Sequence, residues 1–239
     1  MAEGTPWVAV VCEADADRAA ATLLLDRVAS DRHAWTSDLL TTPQGESLRT
    51  VTGIEPTEPF TPWAVLRERA GRAGLRLHGK GWRRQEARKA LELVKRASPR
   101  PTVVLLLRDA DVHPERLEAM AEVRGHYPGL VVALGMPKPE LEAWWLLAVG
   151  IHQRPETLAE VRKTLGHDPT RTPERLNPKR EDSKTSTKRV CGALGIDRPL
   201  AEAALAKVAL AALEARGEAC GLAGFLNELG PATDALYAG

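Results

Sequence analysis

The chain has 239 residues, and 33 Lys and Arg stand against 32 Asp and Glu, so its formal net charge is close to neutral. This balance excludes a protein that binds nucleic acid through its overall charge, and any such binding must come from local basic patches. The length suits one large domain or a domain with an appended lobe. The low aromatic content, with abundant Ala, Leu, Arg and Glu, favours helices over an all-β fold.

Two short apolar runs, each of which is predicted to form a strand, are directly followed by carboxylates. Residues 7–12 run directly into Glu13, and residues 102–108 run into Asp109 and Asp111. Apolar runs of this kind predict strands that are buried on both faces of a parallel sheet. Ligands bind such sheets beyond the carboxyl ends of the strands. We therefore expect one shared acidic site, where a hard cation such as Mg²⁺ or Mn²⁺ offsets the repulsion between carboxylates.

The other elements alternate between helix and strand up to about residue 150. Helices are predicted at 15–30, 62–73, 85–97, 114–125 and from 138, with strands at 49–52, 75–77 and 130–134 and an irregular stretch at 31–61. Asp15 or Asp17 is expected to cap the first helix. The alternation predicts an α/β fold for residues 1–150, with a mostly parallel sheet flanked by helices.

Beyond residue 150 the strand pattern is lost. Helices are predicted at 155–165, 184–194, 199–216 and 220–229, so residues 151–239 are expected to form a helical C-terminal lobe. The cysteines Cys12, Cys191 and Cys220 have neither metal-binding spacing nor an even number, which argues against zinc and a disulfide framework. The first strand begins close to the N-terminus, and every apolar run is far shorter than the ~20 residues of a membrane span. We expect a cytoplasmic protein with no membrane partner.

Two basic segments are candidates for nucleic-acid contact. In residues 78–84, glycines alternate with Lys80 and precede Arg83 and Arg84, which suits a phosphate-binding turn without the spacing of a P-loop. Residues 177–189 form a second basic stretch, whose affinity for nucleic acid would fall steeply with salt. Both segments are equally compatible with ordinary solvated surface.

A resemblance follows from the carboxylates and the segment after residue 137. Glu13 at the end of the first strand and the later Asp109-x-Asp111 resemble the Toprim domain of topoisomerases, primases and overcoming-lysogenization-type nucleases. Residues 138–147, which include Glu142-Ala143-Trp144, are similar to a Glu-Ala-Trp-Leu-Leu segment of small standalone Toprim-like proteins. Those proteins are often encoded beside ABC-type ATPases in bacterial defence loci. Residues 166–169 and 224–226 also fit that group.

The resemblance implies a nuclease that depends on Mg²⁺ or Mn²⁺ and works in anti-phage defence with an ATPase partner. In this family the first-strand glutamate acts as general acid or base, so that role would fall to Glu13. Asp109 and Asp111 would hold the metal, and Glu13 and Glu142 would complete a four-residue shell. Glu140, the neighbour of Glu142, is an additional candidate. The residues expected to contact nucleic acid are Lys80, Arg83, Arg84 and Lys138.

Two departures from the family pattern support a different function. Ala14 stands where the family has glycine, and His113 stands where many members have a third aspartate. These changes suit an inactive Toprim fold that serves as a binding or regulatory subunit.

Two other families share part of the acidic pattern. A phospho-receiver domain would use Asp15, Asp17, Asp109 and Lys138-Pro139, although the acidic clusters lie further apart here than such a domain needs. A haloacid-dehalogenase phosphatase would use Asp109 as nucleophile and Asp111 as acid. It expects that motif near the N-terminus and a threonine in place of His113.

Overall fold

The structure, a computed structural model, describes residues 5–40, 48–75, 82–177 and 183–237, and for Trp82 and Arg83 it describes the backbone alone. Within these ranges lie five strands, which are β1 (Trp7–Cys12), β2 (Thr50–Thr52), β3 (Thr61–Pro62), β4 (Val103–Leu107) and β5 (Val132–Gly135). The α-helices in the same ranges are α1 (Asp15–Arg32), α2 (Ser37–Leu40), α3 (Leu66–Arg72), α4 (Trp82–Arg96), α5 (Arg116–Gly125), α6 (Glu142–His152), α7 (Leu158–Leu165), α8 (Thr187–Ala193), α9 (Arg198–Lys207), α10 (Leu210–Gly217) and α11 (Leu222–Tyr237).

The strands form one parallel sheet with β1 at its centre. On one side β1 pairs with β2 through Trp7 and with β3 through Val11, and on the other side it pairs with β4. Strand β5 follows next to β4. This arrangement confirms the predicted α/β class with a parallel sheet flanked by helices, and it is consistent with a Rossmann-like fold.

The sheet is buried because helices cover it. Every residue of β1 and β4 is buried, which explains why these strands read as continuous apolar runs rather than as alternating ones. In α4 the buried residues Ala87, Leu91 and Val94 recur at helical spacing and belong to the core.

Two predicted helices differ from those observed. The single helix expected at 199–216 is two helices, because Val208 and Ala209 have extended backbone (ψ of 133° and 135°). The helix expected at 220–229 continues to Tyr237. The edge strand at 49–52 is confirmed by β2, whereas the strand and basic turn predicted at 75–81 fall largely outside the described residues.

The chain divides into two compact units. Unit one consists of residues 1–107, 115–134 and 228–239, and unit two of residues 108–114 and 135–227. The sheet up to Leu134 belongs to unit one, and α6 to α10 belong to unit two. The helical lobe of residues 151–239 stays a prediction. Among the described helices, none is both long enough and apolar enough to span a membrane.

Candidate functional site

In unit one, Glu13 is an exposed residue that directly follows β1. Its neighbour Ala14 has φ −143° and ψ 170°, which is extended backbone that any residue adopts. The alanine at this position therefore introduces no backbone strain, although the Toprim pattern that the sequence resembles has glycine.

The next two carboxylates stabilise the start of α1. The Asp17 carboxylate accepts a hydrogen bond from the Ala14 N–H at 2.7 Å, and Asp15 forms an ion pair with Arg18 at 2.7 Å. Burial raises the pKa of Asp17, and hydrogen bonds from the N–H groups of Ala14 and Glu13 partly oppose that rise. The predicted capping role is thus confirmed for Asp17.

The three cysteines are free and buried, and this limits their chemistry. Burial raises the pKa of Cys12 and Cys191 strongly and that of Cys220 to about 11. The thiols stay protonated near neutral pH, so none of them suits the role of a nucleophilic thiolate.

In unit two, the turn that carries Asp109 and Asp111 is held by backbone hydrogen bonds. The N–H groups of Arg108, Ala110 and Asp111 donate to the carbonyl groups of Gly135, Pro137 and Pro139 at 3.0, 2.9 and 2.8 Å. Asp111 has φ 48°, a left-handed conformation that aspartate and asparagine tolerate better than most residues. Both aspartates are half-buried.

The chain after β5, which accepts the hydrogen bonds of this turn, is also anchored to the carbonyl of Cys220. The Lys138 N–H donates to the Cys220 carbonyl at 3.0 Å, and the indole N–H of the fully buried Trp144 donates to the same carbonyl at 2.9 Å. Trp144 also stacks on Phe225, with ring centroids 5.4 Å apart. Trp144 is therefore a core residue of unit two.

The two glutamates of this segment lie beside α8. The buried Thr187 hydroxyl donates to the Glu140 carboxylate. Burial is the largest cause of the raised pKa of Cys191, and the charges of Glu142 and then Glu140 add to it, so both carboxylates lie near this thiol. Sequence reasoning missed Thr187 and Cys191, because their partners lie about 50 residues away in the chain and no local pattern marks them.

Unit two therefore brings the Asp109–Asp111 turn against the segment that leads to Glu140 and Glu142. Within the described ranges, no three or more His, Cys, Asp or Glu side chains form a group that could hold a metal ion. Mg²⁺ is often bound by one or two carboxylates, with water and substrate phosphates filling the remaining positions. The carboxylate chemistry suits that ion, and the four-residue metal shell stays a prediction.

The predicted nucleic-acid contacts are described only in part. Lys80 and the side chain of Arg83 lie outside the described residues. Arg84 is exposed and pairs with Glu122 at 2.6 Å, and Lys138 is half-buried. An exposed ion pair is weak, so the pairing leaves Arg84 able to exchange its partner for a phosphate. In the second basic stretch, Lys184, Lys188 and Arg189 are exposed.

Comparisons with known protein families, with characterised proteins and with solved structures gave no match to this chain. The resemblance to Toprim domains therefore rests on the residues quoted above.

Proposed function

We propose that the protein is a Toprim-type nuclease that hydrolyses phosphodiester bonds with the help of Mg²⁺ or Mn²⁺. In this proposal Asp109 and Asp111 hold the metal, Glu142 contributes to its surroundings and Glu13 transfers a proton. A divalent ion bound there would polarise a phosphoryl group and lower the pKa of a water molecule.

The observation that carries the proposal is the set of three backbone hydrogen bonds between residues 108–111 and residues 135–139. These bonds fix the Asp109–Asp111 turn beside the segment that continues to Glu140 and Glu142. A backbone that is fixed in this way holds carboxylates without further ordering when a ligand binds. The hydrogen bond from the Thr187 hydroxyl orients the side chain of Glu140 as well.

The position of Glu13 supports a role in proton transfer. Strands β1 and β4 are parallel neighbours, with Val11 opposite Leu106 in unit one. Glu13 follows the last residue of β1, and β4 ends shortly before Asp109. Ligands of parallel sheets bind at such carboxyl ends. A glutamate that is exposed to solvent there has access to a substrate.

Activity of the purified protein on DNA and RNA with Mg²⁺ or Mn²⁺ tests this proposal. The variants are Glu13→Gln, Asp109→Asn and Asp111→Asn, and the last keeps a side chain that tolerates a positive φ. Each should lose at least about 100-fold in kcat, and EDTA should abolish the wild-type activity. Glu118→Gln replaces an exposed carboxylate on α5 and serves as the matched control. Equal activity in wild type and all three variants would contradict the proposal.

A second candidate is a catalytically inactive subunit that binds or regulates a partner. The absence of a three-ligand group among the described residues favours it. An inactive subunit would bind nucleic acid or a partner with equal affinity in wild type and in Asp109→Asn. It would show no cleavage with either metal.

A role in anti-phage defence with an ABC-type ATPase is a further part of the proposal, and its support is the resemblance of residues 138–147. Co-purification of the chain with an ATPase that is encoded beside it tests this part.

A further inference from the structure

A surface cavity of about 460 Å³ lies at the C-terminal end of α7 in unit two. Its lining residues are Ala159, Arg162, Lys163, Gly166 and His167. Arg162 and Lys163 are exposed, so the cavity presents two cations to solvent. The proposed function uses none of these residues.

Arg171 is not a lining residue, but it lies near the lining residue Arg162, because both approach the same carboxylate. Arg162 and Arg171 approach the same oxygen, Oδ2 of Asp168, at 3.8 and 3.9 Å, which is too far for a hydrogen bond. The other carboxylate oxygen of Asp168 accepts hydrogen bonds from the N–H and the hydroxyl of Thr170. A single carboxylate oxygen therefore faces two guanidinium groups, and it offsets the charge of only one.

The excess of positive charge extends along this part of the chain. Residues 162–175 contain four cationic side chains (Arg162, Lys163, Arg171 and Arg175) and two carboxylates (Asp168 and Glu174). Cations in the last turn of a helix interact favourably with its dipole, and this accounts for Arg162 and Lys163. It does not account for Arg171 and Arg175, because both lie beyond the end of α7.

The imidazole of His167 adds an independent observation. Both of its ring nitrogens are buried and have no hydrogen-bond partner in the described part of the chain. Burial lowers the pKa of His167, and the nearby charge of Arg175 lowers it further. A neutral imidazole has one N–H to donate and one nitrogen to accept. Buried polar atoms of this kind usually have a partner, and a water molecule or a ligand would supply it here.

We propose that this cavity binds a phosphate group, with Arg162, Lys163 and Arg171 as its ligands and the neutral imidazole of His167 as a hydrogen-bond donor beside them. The guanidinium group is planar and matches phosphate oxygens in a bidentate manner. The proposal is independent of the metal-dependent activity, because it involves other residues and a ligand that binds without reaction.

The test is a titration of the full chain at constant ionic strength, with inorganic phosphate in one arm and a single-stranded oligonucleotide without terminal phosphate in the other. The readout is the imidazole ¹⁵N resonance of His167, assigned by its loss in His167→Gln. A saturable shift is expected in at least one arm. Tighter binding in the first arm identifies a free phosphate as the ligand, and tighter binding in the second identifies the backbone of a nucleic acid.

Paired variants show whether the guanidinium groups are the ligands. The double variant Arg162→Gln with Arg171→Gln should weaken binding by at least about tenfold, because two charge-assisted contacts are lost. Arg154→Gln removes another exposed arginine of unit two and should leave binding unchanged. Arg171→Lys keeps the positive charge but loses the planar guanidinium group that binds phosphate in a bidentate manner. Its affinity for phosphate should lie between those of the wild type and the double variant. An unchanged thermal midpoint shows that each variant is folded.

Three outcomes would overturn the proposal. The first is the absence of a saturable shift in both arms, and the second is equal affinity in wild type and the double variant. The third is an equal weakening in Arg154→Gln, since that would show a response to overall charge and not to this cavity.

Discussion

At the scale of single residues, Glu58 fixes the loop between β2 and β3 in unit one. Its carboxylate accepts two hydrogen bonds from the Arg69 guanidinium at 2.6 and 2.5 Å and another from the Thr61 hydroxyl. The carbonyl of Glu58 accepts from the Gly53 N–H at 2.8 Å, so side chain and backbone act together. The irregular stretch expected between residues 31 and 61 is thus ordered at its C-terminal end by one charged network.

The pKa of Glu58 makes this network sensitive to acid. Burial raises the pKa, but hydrogen bonds from Arg69, Thr61 and the Glu55 N–H outweigh burial and hold it below the usual value. A group whose pKa is lower in the folded state stabilises the fold above its unfolded pKa of about 4.3. That contribution is lost as the pH falls through the folded pKa.

We therefore expect Glu58→Gln to be less stable than wild type at neutral pH, with a difference that narrows as the pH falls below about 4. Urea unfolding over a series of pH values measures it. Glu68→Gln is the matched control, because Glu68 lies in an exposed ion pair with Arg72 and should show little difference at any pH. A loss of stability in Glu58→Gln that does not change with pH would contradict the role given to the charge of Glu58.

At the scale of elements, the turn between α10 and α11 packs directly against the chain after β5. Gly221 has φ 83°, and a Cβ atom at this position would lie 2.2 Å from the Met136 carbonyl oxygen. The neighbouring Cys220 carbonyl accepts the hydrogen bonds of Lys138 and Trp144. This turn therefore supports the segment that leads to Glu140 and Glu142.

Gly221→Ala should lower the free energy of unfolding by about 2–5 kcal/mol, since it adds left-handed strain to a clash with backbone. Gly224→Ala is the matched control, because Gly224 lies in α11 and a Cβ there meets no atom within 4 Å. Gly224→Ala should raise the free energy of unfolding by about 0.5–1 kcal/mol, because alanine has a higher helix propensity than glycine. Denaturant unfolding compares them, and an equal effect at both positions would show that the contact with Met136 does not matter.

The same elements show which features a sequence can predict. The strands β1 and β4 were predictable because burial on both faces requires apolar residues at every position. The end of α9 was not, because Val208 is buried in an extended conformation and its surroundings override helix propensity. The candidate site likewise has features that the sequence predicts and features that it does not. The carboxylates that follow strands are visible locally, whereas the bond from Thr187 to Glu140 joins residues 47 positions apart.

At the scale of the whole molecule, unit one takes its last segment from the C-terminus of the chain. The segment forms ion pairs from Glu228 to Arg124 and from Asp234 to Arg32, and Asp234 also contacts His33 at 3.1 Å. It contributes buried apolar side chains as well, which are Leu229, Ala232, Leu236 and Tyr237. A chain that ends at residue 150 lacks this whole segment.

We expect residues 1–150 alone to form no cooperatively folded domain, although the sequence predicts a boundary there. Burial of a single leucine such as Leu229 is worth about 2–5 kcal/mol, and a typical domain is stable by only about 5–15 kcal/mol. Loss of the segment therefore removes much of the stability of unit one. Circular dichroism during thermal unfolding should show no sharp transition for the fragment.

Co-expression of residues 1–150 with residues 151–239 provides the control, because it restores the missing side chains without the covalent link. The two fragments together should regain a cooperative transition and resistance to proteolysis. If residues 1–150 alone unfold at the midpoint of the full chain, the contacts of residues 228–237 contribute little and the boundary at residue 150 is a true domain boundary. The thermal midpoint of the full chain with Leu229→Ala should lie below that of the wild-type chain, and its transition should stay cooperative, unlike that of residues 1–150. This variant loses one buried side chain and keeps both ion pairs.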